Sequence, residues 1–258
     1  MKVIFHPGFH KTGTSTLQAA LRANKSRLVP EVDVILSEDM PGLTTAAKSY
    51  SVSRKPVDLA LVIYEAAQVA GRINPQTNTT IITSESLCGY IPGRNGVQDY
   101  SAAPQLLTTI SAAFQEVHPN ADQTFLFSTR AAKPWLQSCY AQHLRASRMR
   151  LSASAYVKNY ASSAQLGGIL ATVKSTLPSC KVESAQIEDN DKTRLGMLDN
   201  LLDLTNLPAT KRASLSAPDW INKAPTPAQM DAFLEINQSD LSDKDARAAR
   251  LKLNKDIG

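Results

Sequence analysis

The most constraining stretch lies at the start of the chain. A short apolar run, Val3-Ile4-Phe5, leads into a glycine-containing turn and then, from about Ser15 to Asn24, a helical pattern. A strand that turns tightly into a helix opens a βα unit. Four later runs read as strands: Val32–Leu36, Thr80–Thr83, Thr124–Ser128 and Lys181–Ile187. Helical patterns separate or follow them at about Val57–Arg72, Ala103–Val117, Pro134–Ser147, Tyr156–Leu177 and Arg194–Thr205. This alternation predicts an α/β three-layer sandwich with a central parallel sheet covered on both faces. After Leu207 no strand is apparent. Pro218, Pro225 and Pro227 precede helical patterns near Pro227–Asn237 and Asp240–Lys255, with Thr226 and Ser239 as caps. The expectation is a single domain over 1–258, its α/β core in 1–207 and a helical C-terminal appendage, 208–258, packed on that core. The Ser-, Thr- and Lys-rich stretch Pro41–Pro56 reads as an exposed loop.

Composition narrows the function classes. With 258 residues, 43% hydrophobic and 20% charged, the chain is neither disordered nor collagen-like and can bury a substantial core. No window approaches the roughly 18 apolar residues of a membrane span, and the first residues do not read as a secretory signal. Cys88, Cys139 and Cys180 are odd in number and lack metal-ligand spacing, which points to reduced thiols and a cytoplasmic location. Lys plus Arg number 28 against 23 Asp plus Glu, a net charge of only +5. Yet residues 123–182 hold no acid while carrying Arg130, Lys133, Arg145, Arg148, Arg150, Lys158, Lys174 and Lys181. Such a segment suits an anion site or, equally, a solvated basic face. A nucleic-acid partner is not expected, because no recognised binding motif or aromatic interleaving accompanies the charge.

The sharpest motif is Gly8-Phe9-His10-Lys11-Thr12-Gly13-Thr14-Ser15-Thr16. It sits between strand and helix, where main-chain N–H groups and the helix dipole can cradle a phosphate. It is not a Walker A loop, which ends Gly-Lys-Ser/Thr; here Gly13 is followed by Thr14, and the lysine is Lys11. The plainer alternative is a strand-to-helix turn whose hydroxyls merely cap the helix.

The string Lys11-Thr12-Gly13-Thr14-Ser15-Thr16 resembles the 5′-phosphosulfate loop of sulfotransferases that use 3′-phosphoadenosine 5′-phosphosulfate (PAPS). From His6 to Leu21 the chain is more similar to bacterial and carbohydrate-directed members than to small-phenol enzymes. The latter commonly have Pro where His10 stands and Trp where Thr16 stands. The resemblance implies a P-loop-type fold and assigns Lys11, Thr12, Gly13, Thr14, Ser15 and Thr16 to the donor. It implies a second anion site for the 3′-phosphate, from a strand ending in Arg with a Ser eight residues on, which matches Arg130 and Ser138. Ala131-Ala132 replaces the Asp-Pro that often follows that arginine. The loop Lys211-Arg212-Ala213-Ser214-Leu215-Ser216 resembles a late basic loop over the nucleotide, with Arg212 as the candidate.

Sulfuryl transfer requires positioning, charge neutralisation on the leaving phosphate and a base. Lys11 fits the second role. Glu85, just past the Thr80–Thr83 strand, is the leading base, since ligands of open parallel sheets gather at strand carboxyl ends. In carbohydrate sulfotransferases a Glu after the equivalent strand has that role. His10 is the rival base. His6, His118 and His143 read as strand-end and surface histidines, Glu188 and Asp189 as fold-supporting acids, and Tyr140 as packing. Ser84 and Ser86 bind acceptor or shape their turn; Trp135 and Trp220 stack on adenine or acceptor, or belong to core and rim. The expectation is a sulfotransferase that takes PAPS, releases adenosine 3′,5′-bisphosphate, needs no metal and acts on a carbohydrate, glycolipid or other small acceptor. Segments 40–56, 89–100 and 206–225 would build the acceptor pocket, and monomer is the default state. The alternatives are a nucleotide-dependent small-molecule kinase and a sulfotransferase-like binding protein without turnover.

Overall fold

The structure, a computed structural model, describes residues 1–217 and 225–255; Pro218 and Trp220 lie outside them. Five strands form one all-parallel sheet: β1 (Lys2–His6), β2 (Val32–Ile35), β3 (Thr79–Thr83), β4 (Asp122–Thr129) and β5 (Lys181–Gln186), in the order β2-β3-β1-β4-β5. The helices are α1 (Thr14–Leu28), α2 (Pro41–Ser53), α3 (Pro56–Ala70), α4 (Ala103–Val117), α5 (Ala132–Ala146), α6 (Ala153–Tyr160), α7 (Leu166–Thr176), α8 (Met197–Leu202), α9 (Ala209–Ser214), α10 (Pro227–Gln238) and α11 (Asp243–Lys255).

The central strands β1, β3 and β4 are buried on both faces, and their apolar side chains alternate between two cores. Val3, Phe5, Ile82, Phe125 and Phe127 join the larger core with residues of α2 to α7. Ile4, Ile81, Val34 and Leu126 join the smaller one with Leu17 and Leu21 of α1 and Leu198 and Leu201 of α8. At the edge, β5 carries Lys181 and Glu183, which pair at 2.6 Å; charge on an edge strand discourages further strand pairing.

Several segments differ from the sequence expectation, among them Lys211–Ser216, expected as a loop, whose first residues belong to α9. Pro41–Ser53 is helix α2 rather than a loop, with Pro41 in its first turn and Leu43, Ala46, Ala47 and Tyr50 buried. That spacing is helical, and its burial outweighs the Ser and Thr content. The pattern over Tyr156–Leu177 is split. The Ser163 hydroxyl donates to the Tyr160 carbonyl at 2.7 Å in a 3₁₀ turn, and α7 restarts beyond it. Ser side chains that bond the preceding turn compete with helix continuation. The cap before α11 comes from Ser242, whose hydroxyl accepts from the Asp245 N–H at 3.2 Å, while Ser239 ends α10. Thr226 does cap α10, reciprocated by Gln229.

α10 and α11 pack on α5. Phe233 and Ala246 are fully buried, Asn237 donates to the Leu144 carbonyl at 3.0 Å, and Arg250 donates to Asn237 Oδ1 at 2.7 Å. Arg148, from the acid-free segment, ties the same region by an ion pair to Asp243 and bonds to the carbonyls of Asn237 and Ser239. Among the described residues no helix is long and apolar enough to cross a membrane.

Candidate functional site

The loops that follow β1, β3, β4 and β5 emerge at the carboxyl edge of the sheet, and two adjoining clefts form there. One, of about 460 Å³, is lined by His10, Lys11, Thr14, Ser15, Lys48, Glu85, Ser86, Tyr90, Arg94, Ser138 and Gln142, among others. The other, of about 500 Å³, has apolar walls from Leu17, Ala20, Pro134, Leu195, Met197 and Leu198, with Arg194 and Glu188 at its polar side. Gly13, Thr16, Arg130 and Ile187 line both. The geometry therefore brings Lys11, Gly13, Thr14, Ser15, Thr16, Glu85, Arg130 and Ser138 to one place, although their chain positions span about half the sequence.

The loop after β1 is clamped by its carbonyls. Phe9 O accepts from the Thr12 hydroxyl at 2.6 Å and the Thr14 hydroxyl at 3.3 Å, His10 O from Trp135 Nε1 at 2.9 Å, and Lys11 O from Arg130 Nη1 at 3.3 Å. The N–H of Phe9 is spent on Thr12 Oγ1 and that of His10 on the Tyr100 hydroxyl. By contrast, the main-chain N–H groups from Lys11 through Thr16 have no acceptor among the described residues. Successive free N–H groups at a helix N-terminus form a nest for an anion, and the helix dipole adds to it. Gly13 has φ 86° and Gly8 φ 50°; a Cβ at Gly8 would lie 2.6 Å from Thr14 Oγ1. Lys11 itself takes φ 66°, a left-handed conformation that costs free energy in a residue with a side chain and is held here by the clamps.

Thr12 departs from its expected role as a donor-binding hydroxyl: it is fully buried, lines neither cleft, and faces Ser128 Oγ at 2.6 Å. Its hydroxyl secures the loop. Trp135 is likewise fully buried and props the His10 carbonyl, so its ring is not available for stacking.

Glu85 opens a 3₁₀ turn after β3, capped by the Ser84 hydroxyl, which accepts from the Ser86 N–H at 3.2 Å. Its carboxylate accepts from Gln18 Nε2 at 3.2 Å. Gln18 was not anticipated, yet it stands one helical turn beyond Thr14 on the same face of α1.

Lys11 has its pKa lowered, first by burial and then by the positive charges of Arg145 and Arg130, with Glu85 acting in the opposite sense. The His10 imidazole is pushed down to about 3 by burial, Lys11, Lys48, His143 and Arg94. Its Nδ1 lies 3.1 Å from the Tyr100 hydroxyl. Among the described residues Nδ1 is the one acceptor beside that hydroxyl, which itself accepts the His10 main-chain N–H; with the phenol proton directed to Nδ1, the neutral imidazole carries its proton on Nε2. In this tautomer His10 is a hydrogen-bond donor to the cleft, not a base.

The loop after β4 is completed by Glu188, whose Oε1 accepts from the Ala131 N–H at 2.9 Å at the start of α5. A carboxylate at a helix N-terminus is favourable, and this one comes from the segment after β5. Arg212 lies on α9 and lines neither cleft. Its guanidinium is bound by Asp199 at 2.6 Å and by Asp203 at 2.5 Å. Arg194 takes a cleft position instead, held by the carbonyls of Leu215 and Arg212 at 2.7 Å each. Of the basic residues in 123–182, Arg130 alone lines either of these two clefts; Arg145 donates to Gln142 Oε1 at 3.3 Å. His143, expected at the surface, is fully buried against Tyr156.

No protein-family model matches the chain, and no curated protein does. Among solved structures, the chain is similar to the crystal structure of a sulfotransferase from Alicyclobacillus acidocaldarius. The likeness has 15% sequence identity and a TM-score of 0.48, and covers 96% of this chain and 99% of that one.

Proposed function

We propose that the chain is an enzyme that transfers the sulfuryl group of PAPS to a hydroxyl or amine of a carbohydrate, glycolipid or other small acceptor. The observation that carries this reading is the run of free N–H groups from Lys11 through Thr16, set beside Arg130 and Ser138 in one cleft with Glu85. Two separate anion-binding elements suit a nucleotide phosphorylated at two places.

In this reading the nest of N–H groups, with the hydroxyls of Thr14, Ser15 and Thr16, holds the 5′-phosphosulfate. Arg130 and Ser138 hold the 3′-phosphate, and the apolar wall of Leu17, Ala20 and Leu198 receives the base. The donor supplies a sulfuryl group whose bond to a phosphate oxygen breaks as the bond to the acceptor oxygen forms. Lys11 donates to the phosphate oxygen on which charge gathers; burial, with the charges of Arg145 and Arg130 nearby, makes its proton more readily given. Glu85 removes the proton of the acceptor, and Gln18 orients its carboxylate. His10 donates from Nε2 into the cleft.

The test is acceptor-dependent release of adenosine 3′,5′-bisphosphate from PAPS, across a panel of sugars, glycosides and glycolipids. Release by the parent chain and its collapse in Lys11→Ala are expected; undiminished release in that variant contradicts the proposal.

A further inference from the structure

The cleft that holds Glu85 is lined by four cations, Lys11, Lys48, Arg94 and Arg130, against that single carboxylate. Lys11 and Arg130 adjoin the anion nest. Lys48, from α2, and Arg94, from the turn before α4, line this cleft only and have no part in the second. Both are partly buried, and among the described residues neither has an ion-pair partner or a side-chain hydrogen bond from its charged group.

Each is held in place. The Lys48 ammonium lies 5.9 Å from the centroid of the Tyr90 ring, which also lines the cleft. Arg94 sits in a tight turn closed by Arg94 N–H to Ile91 O at 3.2 Å and Val97 N–H to Arg94 O at 3.0 Å. That turn is pressed onto the core, for a Cβ at Gly93 would come within 2.8 Å of His143 Cε1. Both charges act on the His10 imidazole in the same cleft.

Partly buried cations of like sign, without counter-ions and facing one cleft, select for negative charge in what enters. We propose that the acceptor carries an anionic group of its own, a carboxylate or a sulfate, held by Lys48 and Arg94 while its hydroxyl meets Glu85. The inference rests on reading this cleft as the acceptor site. A sugar ring or aryl group would lie against Tyr90.

The test is calorimetric titration of the full chain, with and without adenosine 3′,5′-bisphosphate. The probes are 4-nitrophenyl β-D-glucuronide and 4-nitrophenyl β-D-glucoside, which differ by a carboxylate. The glucuronide should bind roughly tenfold tighter or more. The Lys48→Ala/Arg94→Ala pair should bring the two probes to parity with the glucoside affinity unchanged, and Arg94→Lys should keep part of the preference. If the double variant does not fold, Lys48→Gln and Arg94→Gln are titrated singly. Equal binding of the probes, or a preference that survives the substitutions, overturns the inference. If the preference is lost with Lys48 and Arg94 but adenosine 3′,5′-bisphosphate does not bind, the anion subsite stands and the sulfuryl-transfer reading fails. Nucleotide binding without discrimination between the probes gives the reverse.

Discussion

The hydroxyls of Thr12 and Ser128 lie 2.6 Å apart and fully buried, joining the loop after β1 to the end of β4 two residues before Arg130. Through this contact the loop after β1 and the loop after β4, far apart in the chain, have a fixed separation. The Thr12 hydroxyl also accepts the Phe9 N–H and lies 2.6 Å from the Phe9 carbonyl. Thr12→Val should therefore cost about 2–3 kcal/mol in urea unfolding, because it strands buried polar partners, and Ser128→Ala about 1 kcal/mol. Thr12→Val should also weaken nucleotide binding; a variant with parental stability would mean that the contact does not hold the loop.

Glu85→Gln should lower turnover by ~10²–10⁴-fold while nucleotide affinity holds, as expected for loss of a general base. Gln18→Ala should lower turnover by a smaller factor, because it removes the donor that orients Glu85. Steady-state rates beside nucleotide titrations separate the two effects. An equal loss of rate and nucleotide affinity in Glu85→Gln would make that residue a structural support.

Arg212→Ala should destabilise the chain by about 1–2 kcal/mol, since it leaves the largely buried Asp199 without its partner. Nucleotide affinity should not change. Urea unfolding and calorimetry decide; a marked loss of affinity would bring Arg212 to the nucleotide after all.

Three histidines give the fold a definite pH dependence. Burial lowers the pKa of His6 to about 4, and burial with nearby cations lowers His143 to about 4 and His10 to about 3. Unfolded histidines bind protons below about 6.5 while these three do not, so the unfolded state holds more protons between that value and about 4. Stability is thus fully present above about pH 6.5 and falls as the pH drops. The slope approaches 1.4 kcal/mol per pH unit for each histidine. Unfolding near pH 5 should take up close to three protons from these groups; uptake near zero would mean that they are charged in the fold.

Much of this architecture was legible in the sequence. The apolar runs at the centres of β1, β3 and β4 are short but consecutive because both faces are buried, and the Gly8–Thr16 string suits a strand-to-helix turn. What was not legible was contact across the chain. The helical spacing of Leu43, Ala46, Ala47 and Tyr50 was present, but Ser and Thr around it resemble a loop until the larger core is seen to cover that face. Thr12 looked like one more hydroxyl for a phosphate, and only its burial against Ser128 marks it as a clamp. The acid-free segment was informative for Arg130, whereas Arg148 is directed to α10 and α11, a pairing that depends on where the C-terminal helices dock.

The most direct test of the central claim is calorimetric binding of adenosine 3′,5′-bisphosphate against ADP, repeated on Arg130→Ala. The account predicts a marked preference for the 3′-phosphorylated nucleotide in the parent chain, lost in the variant, with ADP affinity much less affected. Equal binding of the two nucleotides, or a preference that survives loss of the guanidinium, would contradict it.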